Sequence, residues 1–414
     1  MFQSFQLDNG LRVILAPSAT DVVYAGIAVS TGTRHELDSE SGMAHFVEHM
    51  SFKGTSNLSS VQILNRMESV GGDLNAYTGK EETIYYATFL RQHLRRAIPL
   101  LFDIVFNSTY PQVELEKERE VVIDEIESYE DSPAELIYDD FEALLFPNHP
   151  LGRRILGDAD SLRRFTTADL QAFTKRTYSP ERAVLFVKGK VTEEEIFSIV
   201  KNERVKSEKY ISAQESKEQP IADSNSYFSS FTPSLFTCKK STHQAHVMLG
   251  ARAYALTDPR HVGLALLNNL LGGPAMNSRL SLALRERTGL VYTVESTLTP
   301  YTDTGVWAVY FGCDHADVRR CLRLVHRELR RLIDAPLSPR ALAAAKRQMK
   351  GQMGIAADSF ENVALAMAKN FLHTGQVKSL DERFAEIDAL TPEMLQQIAR
   401  DVFDIDHLTT LIYE

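Results

Sequence analysis

The sequence has few cysteines, one tryptophan and no long apolar run, and each scarcity excludes a class of protein. Three cysteines in 414 residues cannot form a framework of several disulfides, and none lies in a Cys-x-x-Cys pair, so a four-cysteine zinc site is excluded. No stretch approaches the roughly 18 to 20 apolar residues that cross a bilayer. The first residues, MFQSFQLDNGLRVILAP, lack the regions of a secretory signal. We therefore expect a cytoplasmic protein with no membrane partner.

The chain also has fewer basic than acidic residues. The chain has 45 Lys and Arg residues against 55 Asp and Glu residues, which gives a formal net charge of −10. This balance argues against a nucleic-acid partner, because nucleic-acid-binding proteins usually carry a basic domain or stripe. It suits a protein that attracts basic ligands, or one that needs charge only for solubility. No phosphate-binding loop or dinucleotide glycine fingerprint is present.

The remaining composition is that of a globular protein, and the order of the predicted elements repeats. Hydrophobic residues make up 44% of the chain and charged residues 24%. Strands, two helices, two strands, several helices and a final strand occur twice, on either side of a polar stretch. We predict an α+β fold of two homologous domains related by duplication, each an antiparallel or mixed sheet packed with helices. The predicted boundaries are 1–200, a linker at 201–230, and 231–414.

The segment after the third predicted strand carries the most informative motif. His45, Glu48 and His49 form the pattern His-x-x-Glu-His within a predicted helix over 43–52. Two residues four positions apart share one face of a helix, so both imidazoles can reach one metal ion. Neutral imidazoles suit zinc, and a carboxylate beside a zinc site can act as a general base. The alternative is a surface helix with two solvated histidines.

A third ligand distinguishes these alternatives, and the acidic run EKEREVVIDEIESYE offers candidates. Glu118 and Glu125 are seven residues apart, two turns along one face of a predicted helix. Most acidic residues of such a run belong to a solvated face. Glu125 differs because it lies among Val121, Val122, Ile123 and Ile126. A carboxylate on the apolar side of a helix needs a partner.

At this point the chain resembles a known family. The pattern His-x-x-Glu-His, followed 76 residues after its second histidine by a glutamate in a Glu-x₆-Glu helix, is similar to the inverzincin peptidases of the pitrilysin or insulinase family (peptidase M16). The resemblance implies one zinc ion per chain held by His45, His49 and Glu125. It implies Glu48 as the catalytic base and Glu118 as a supporting carboxylate.

Two further segments strengthen the resemblance, which covers essentially the whole chain. GGDLNAYT, at 71–78, resembles the family's substrate-edge segment, and HPLGRRILG, at 149–157, resembles a recurrent family loop. We expect a peptide to bind in an extended conformation and to add its backbone to a sheet edge through the strand that holds Asn75 and Ala76.

The second half contains another match. In LRERTGLVYTV, Arg285 and Tyr292 resemble the arginine–tyrosine pair that the family directs toward the bound peptide, where it stabilises the developing oxyanion. The alternative is an ordinary helix-to-strand junction, and Arg287 competes with Arg285 for the arginine's role.

Other histidines of the second half do not complete a second site. Where the motif would recur, the sequence has ALLNN at 265–269, so one metal site per chain is expected. His243 and His246 are spaced as His-x-x-His within a predicted strand, where side chains three apart point to opposite faces. We interpret them as structural.

The resemblance also has implications for assembly. Long members of the family join two halves around a closed chamber, and short bacterial members are similar in length to this chain. One copy of each motif per chain implies a homodimer whose active sites are completed in trans by Arg285 and Tyr292, with short or unfolded peptides as substrates. The alternatives are a non-catalytic structural or peptide-binding relative, and a processing-peptidase subunit that acts with a partner chain.

Overall fold

The computed structural model describes residues 2–201, 234–240 and 242–414. Apart from Lys201, the predicted linker lies outside the described residues. The described chain forms two compact units. The first comprises 2–128, 149–201 and 356–377, and the second comprises 129–148, 378–414 and the described part of 217–355. The domain boundaries derived from the sequence stay a prediction.

A six-stranded mixed sheet forms the centre of the first unit. Its strand order is β1-β2-β6-β3-β5-β4, with β2 and β6 parallel and the other neighbours antiparallel. The strands are β1 (Gln3–Gln6), β2 (Arg12–Pro17), β3 (Val22–Val29), β4 (Asp73–Thr78), β5 (Thr83–Leu90) and β6 (Ala183–Gly189). Strand β4 therefore forms one edge of this sheet.

The second unit is built on a five-stranded mixed sheet of similar plan. Its order is β7-β11-β8-β10-β9, with β7 and β11 parallel and the other pairs antiparallel. The strands are β7 (Leu235–Cys238), β8 (Ala245–Ala253), β9 (Val291–Pro300), β10 (Gly305–Cys313) and β11 (Thr409–Tyr413). Strand β9 occupies the edge that β4 occupies in the first unit.

Helices pack on these sheets. In chain order they are α1 (Met43–Ser51), α2 (Ser60–Glu68), α3 (Leu94–Phe106), α4 (Gln112–Glu130), α5 (Pro133–Leu145), α6 (Ala159–Arg164), α7 (Thr167–Thr177), α8 (Glu193–Val200), α9 (His261–Gly272), α10 (Val318–Asp334), α11 (Pro339–Ala356), α12 (Phe360–Thr374), α13 (Leu380–Ala389) and α14 (Pro392–Val402). Two mixed sheets packed with helices confirm the predicted fold class.

Each unit takes one helix from the other half of the sequence. Helix α5 packs against β8 and β11 of the second unit, where Arg252 Nε donates a hydrogen bond to the Leu145 carbonyl at 2.9 Å. Helix α12 packs against β3 and β6 of the first unit. Its Met367 and Phe371 join Ile84 and Phe186 in an apolar cluster on the sheet face opposite the main core. Each sheet thus has one face covered by a helix that is distant in sequence.

Two local features of the second unit depart from regular α-helix. Residues Ser281–Glu286 form a π-helical turn. Helices α10 and α11 are separated by an Ala-Pro-Leu-Ser connection, because proline cannot continue a helix. No helix of the described residues combines the length and apolar character that a membrane span requires.

Candidate metal centre

The start of α1 is fixed by a glycine and a buried carboxylate. Gly42 precedes the helix with φ of 85°, a conformation that favours glycine. The Glu36 carboxylate accepts the backbone N–H of Gly42 at 3.2 Å and that of Ala44 at 2.9 Å, so it satisfies two donors of the first turn. Burial raises the pKa of Glu36 to about 8, although these two hydrogen bonds act in the opposite direction.

The loop at 149–157 approaches the same helix start closely. A Cβ atom on Gly157 would lie 2.5 Å from the Gly42 nitrogen, and a Cβ atom on Gly42 would lie 2.6 Å from the Leu156 carbonyl oxygen. Both glycines have positive φ. Side chains at either position would force the loop and α1 apart, so the glycines permit the contact that holds the helix in place.

The two histidines of α1 face the same side. Their ring centroids are 4.6 Å apart, which follows from the four-residue spacing on a helix. His45 is buried, and this burial, together with the charge of His49, lowers its pKa to about 3. The ring is therefore neutral at physiological pH, the protonation state that a metal ligand needs.

Helix α4 brings a carboxylate to the same point. Glu125 Oε2 lies 3.9 Å from His45 Nε2 and 3.6 Å from His49 Nε2. The ligand atoms of these three residues all lie within 4.8 Å of one another, and they form the one such group of His, Cys, Asp or Glu found among the described residues. Donor atoms at tetrahedral angles around zinc stand roughly 3.3 Å apart, so small adjustments would suffice.

The donor chemistry fits zinc. Two imidazole nitrogens and one carboxylate oxygen are a common ligand set of catalytic zinc, which keeps a further position open. The Glu125 side chain is 45% exposed, so the group is accessible from solvent. The structure brings together His45, His49 and Glu125, the three residues that the resemblance implied as zinc ligands, and their role as ligands stays a prediction.

Glu118 contacts Nδ1 of His49, whereas the other ring nitrogen, Nε2, lies toward Glu125. Its Oε1 lies 2.9 Å from His49 Nδ1, while its Oε2 lies 2.6 Å from Lys53 Nζ. Burial opposes charge on Glu118, but the hydrogen bonds from His49 and Lys53 outweigh it and lower the pKa of the carboxyl. Burial likewise opposes charge on His49, and the carboxylates around it outweigh that effect and raise its pKa. Glu118 thus orients the His49 ring, with Nε2 left toward Glu125.

Glu48 lies on α1 between the histidines and is held from the sheet edge. The Thr78 hydroxyl of β4 donates a hydrogen bond of 2.6 Å to Glu48 Oε2. Burial raises the pKa of Glu48, although this hydrogen bond and the charge of His49 oppose the shift. A carboxyl with a raised pKa is suited to accept and return a proton near neutral pH.

The strand predicted to bind substrate, β4, is an edge strand of the first sheet. Asn75 is exposed and Ala76 half-buried in β4, which pairs on one side with β5. The Ala76 N–H donates to the side-chain oxygen of its neighbour Asn75 at 2.8 Å. An edge of this kind can pair with an extended peptide.

The residues predicted from the second half belong to the second unit. Arg285 is the penultimate residue of the π-helical turn, and its Nε donates to Glu286 Oε1 at 2.9 Å. Tyr292 lies near the start of β9 and is 86% exposed, an unusual environment for an aromatic side chain. Arg287 follows the turn and lines a separate cavity of this unit.

The remaining histidines of the second half also differ from the metal group. His246 lies in β8 and its Nδ1 is 2.8 Å from the Tyr310 hydroxyl, whereas His243 precedes the strand. The prediction that both lie in one strand was therefore wrong, because the strand begins only at Ala245.

In α9, Asn268 Oδ1 accepts a hydrogen bond from the Ser296 hydroxyl at 2.5 Å.

Three contributors to the site were not predicted from the sequence: Glu36, Lys53 and Thr78. Lys53 lies eight residues after His45, close to the spacing of two helical turns, which is a weak signal. Thr78 belongs to the segment that resembles the substrate edge, but its bond to Glu48 depends on how the sheet and α1 meet. Nothing in the sequence distinguishes Glu36 from the neighbouring acids of its loop.

Comparisons with known proteins point to one family. A family model described as Insulinase (Peptidase family M16) matches residues 12–159, and one described as Peptidase M16 inactive domain matches residues 164–349. A Bacillus subtilis (strain 168) protein named "Uncharacterized zinc protease YmxG" is 34% identical over 100% of this chain and 98% of its own. The Rattus norvegicus protein named "Mitochondrial-processing peptidase subunit beta" is 31% identical over 95% of this chain and 80% of its own.

Solved structures show the same fold. The crystal structure of a protease from Helicobacter pylori superposes with a TM-score of 0.91 at 23% identity and covers 100% of this chain and 99% of its own. A Pseudomonas fluorescens structure described as a peptidase M16 inactive domain gives a TM-score of 0.87 at 18% identity, with 100% and 98% covered.

Proposed function

Because the chain belongs to the peptidase M16 (insulinase) family, we propose that it is a zinc-dependent endopeptidase that hydrolyses short or unfolded peptides. The observation that carries the proposal is the convergence of His45, His49 and Glu125, with Glu48 beside them on α1. Relatives named zinc proteases support the metal and the class of reaction. One zinc ion per chain is expected, since the corresponding positions of α9 are Ala265, Asn268 and Asn269.

Glu48 and Thr78 have different roles in the proposed reaction. Zinc, when bound, supplies a Lewis acid that polarises the scissile carbonyl and lowers the pKa of water. Glu48 accepts a proton as water attacks the carbonyl carbon, and it returns that proton to the amine nitrogen as the C–N bond breaks. Thr78 holds Glu48 in position through its hydroxyl.

The edge strand β4 provides the place where a peptide would bind. A substrate in extended conformation would pair its backbone with β4 near Asn75 and Ala76, which continues the first sheet by one strand. Backbone pairing is independent of side-chain identity, so it favours unfolded segments of many sequences. A peptide bound in this way would have its scissile bond near Glu48, because Thr78 of the same strand contacts Glu48.

We further propose that two copies of the chain form a homodimer around a closed chamber. Arg285 and Tyr292 would then act on the peptide bound at the partner's zinc, where the arginine and the hydroxyl stabilise the developing oxyanion. The exposure of Tyr292 supports a role that requires a ligand or partner. The relative named as a subunit supports assembly with a second chain, and a processing peptidase acting with a different partner is the second candidate.

Hydrolysis of a quenched fluorescent peptide tests the chemistry. Cleavage should stop with a chelator, return with zinc, and fall by at least about a thousandfold in Glu48→Gln. Glu120→Gln is the matched control, because it makes the same change at an exposed position of α4. Undiminished cleavage by Glu48→Gln with an intact fold contradicts the assignment. A preparation that contains no zinc and cleaves nothing favours the non-catalytic relative.

Mixed variants test the trans arrangement. Glu48→Gln and Tyr292→Phe chains should each be weakly active alone, and mixing them should restore activity because some mixed dimers contain one intact centre. Chains that carry both substitutions serve as the control and should restore nothing. If mixing has no effect although the chains exchange, Tyr292 acts within its own chain or not at all.

A further inference from the structure

A cavity of about 350 Å³ lies entirely within the second unit, and its walls carry three arginine side chains. Arg279 and Arg287 flank the π-helical turn Ser281–Glu286, and Arg331 comes from α10. The volume is in the range of sites for small molecules. Such a concentration of positive charge is unusual in a chain with a net charge of −10.

The positive charge of this cavity is only partly balanced. Glu328 is buried at its wall, where Oε1 lies 2.8 Å from Arg331 Nη1 and 3.7 Å from Arg327 Nε. The side chains of Arg279 and Arg287 make no hydrogen bond or ion pair with any part of the chain that the structure describes. Burial lowers the pKa of Arg279, and the positive charge of Arg331 adds to this shift, whereas the negative charge of Glu328 opposes it without reversing it. A partly buried guanidinium in this state favours a counter-ion.

The start of helix α11 contributes a second favourable field. Ser338, which directly precedes the helix, and Ala341 of its first turn line the same cavity. The helix runs for 18 residues, so the positive end of its dipole is fully developed at this point. The Ser338 hydroxyl accepts the Ala341 N–H at 3.2 Å and keeps its own O–H available as a donor.

We propose that this cavity binds a small phosphate-bearing anion. Three guanidinium groups and one carboxylate leave two positive charges, which match a phosphate dianion better than a monovalent carboxylate. The planar, forked guanidinium binds phosphate oxygens through paired hydrogen bonds, and a helix N-terminus adds to that preference. The site shares no residue with the proposed zinc centre, so it does not depend on the proposed peptidase function.

Calorimetric titration of the full chain with inorganic phosphate, near pH 8 where phosphate is a dianion, tests the proposal. We expect one phosphate per chain and at least about tenfold weaker binding of acetate, which serves as the carboxylate probe. Arg279→Gln should weaken phosphate binding by about tenfold or more. Arg323→Gln, an exposed arginine of α10 that does not line the cavity, should change it by less than about twofold.

A variant of opposite sign separates binding from damage to the fold. Glu328→Gln removes the negative charge from the cavity wall and should tighten phosphate binding several-fold. Misfolding cannot produce tighter binding, and thermal unfolding of each variant checks its stability. The proposal is overturned if phosphate does not bind, if acetate binds equally well, or if Arg323→Gln weakens binding as much as Arg279→Gln.

Discussion

Helices α1 and α9 occupy corresponding places in the two units, and they differ at the positions that carry chemistry. Each packs against the edge strand of its sheet, α1 against β4 and α9 against β9. In each, one polar side chain is hydrogen-bonded to a hydroxyl of that edge strand: Glu48 to Thr78, and Asn268 to Ser296. The duplicated frame has thus kept a helix-to-edge contact in both units, with an ionisable group in the first and an amide in the second.

The helices that follow the sheets differ even more in charge. Helix α4 of the first unit has eight acidic and two basic residues, whereas α11 of the second has no acidic and four basic residues. The acidic helix supplies Glu125 to the candidate metal group and Glu118 to the far side of His49, and the basic helix begins at the arginine-lined cavity. One architecture therefore carries a candidate cation site in one unit and a proposed anion site in the other.

Loss of Glu125, the third proposed zinc ligand, should have the largest effect on the difference between the two units. Glu125→Gln should weaken zinc binding by at least about 100-fold, because the amide loses the charge that complements the ion. The measurement is zinc content after dialysis against a competing chelator. Glu127→Gln, at an exposed position of the same helix, should retain one zinc per chain. A full equivalent of zinc in Glu125→Gln would place the metal elsewhere and remove the difference between the units.

Removal of the carboxylate behind His49 should have the next largest effect. Glu118→Gln loses a charged partner of both His49 and Lys53, so we expect zinc affinity or cleavage to fall by about 10- to 100-fold. Zinc competition and peptide cleavage report the two quantities. The matched control is Glu116→Gln, two residues away and exposed. Equal behaviour of the two variants would show that Glu118 has no orienting role.

The carboxylates near the starts of α1 and α9 should give opposite dependences of stability on pH. The folded pKa of Glu36, about 8, lies above its ordinary value of 4.5. Its contribution to stability is therefore complete below about pH 4.5 and is lost as the pH rises through about 8. From pH 6 to pH 9 the free energy of unfolding should decrease by roughly 2 kcal/mol through this group, and Glu36→Gln should remove that decrease.

Asp258 is the matched case in the second unit. Burial opposes its charge, but the hydrogen bonds and charge of Arg260 outweigh burial and lower the pKa of the carboxyl. Its contribution is present above its ordinary pKa of 3.8 and is lost as the pH falls through the lowered folded value. Asp258→Asn should therefore leave the change between pH 6 and pH 9 as it is. Denaturant unfolding of both variants at pH 6 and pH 9 measures these changes in stability. If Glu36→Gln loses as much stability between the two pH values as the unsubstituted chain, the expectation for Glu36 is contradicted.

Removal of the edge-strand hydroxyls of Thr78 and Ser296 should have the smallest effects, one on cleavage and the other on stability. Ser296→Ala leaves the buried Trp307 indole N–H, which donates to Ser296 at 3.0 Å, without its acceptor. We expect a loss of about 1 to 2 kcal/mol of stability and no change in cleavage. Thr78→Val should instead slow cleavage with little loss of stability. Denaturant unfolding and cleavage rates, measured on both variants, show whether the contact has different roles in the two units.

Much of the fold could be predicted from the sequence because its signals are local. Turn residues, β-branched runs and helical spacing identified the repeated order of elements, and the predicted fold class was confirmed. The pairing of His45 and His49 could also be predicted, since the two residues share a helix face through spacing alone. Glu125 was singled out by its apolar neighbours in the sequence and by the resemblance, but its side chain is 45% exposed and does not lie on the apolar side of the helix. The function of the metal group in catalysis stays a prediction, as does that of Arg285 and Tyr292.

What could not be predicted depends on packing between distant segments. An amphipathic helix shows which of its faces is apolar but not which sheet will cover it, so the sequence did not reveal that α5 and α12 exchange units. The contact of Thr78 with Glu48 and that of Glu36 with α1 likewise depend on where a strand or loop meets a helix. A carboxylate within an acidic loop gives no sign of whether it will be buried.

The exchange of helices has a consequence for synthesis on the ribosome. When residues 1–201 have emerged, Ile14, Val184 and Phe186 of the first sheet still lack the apolar side chains of α12 that cover them. That surface stays open until about 170 further residues have been made, a delay of roughly ten seconds or more at typical translation rates. The main core of the first unit can therefore form early, whereas the opposite face of its sheet is covered only when the chain is almost finished.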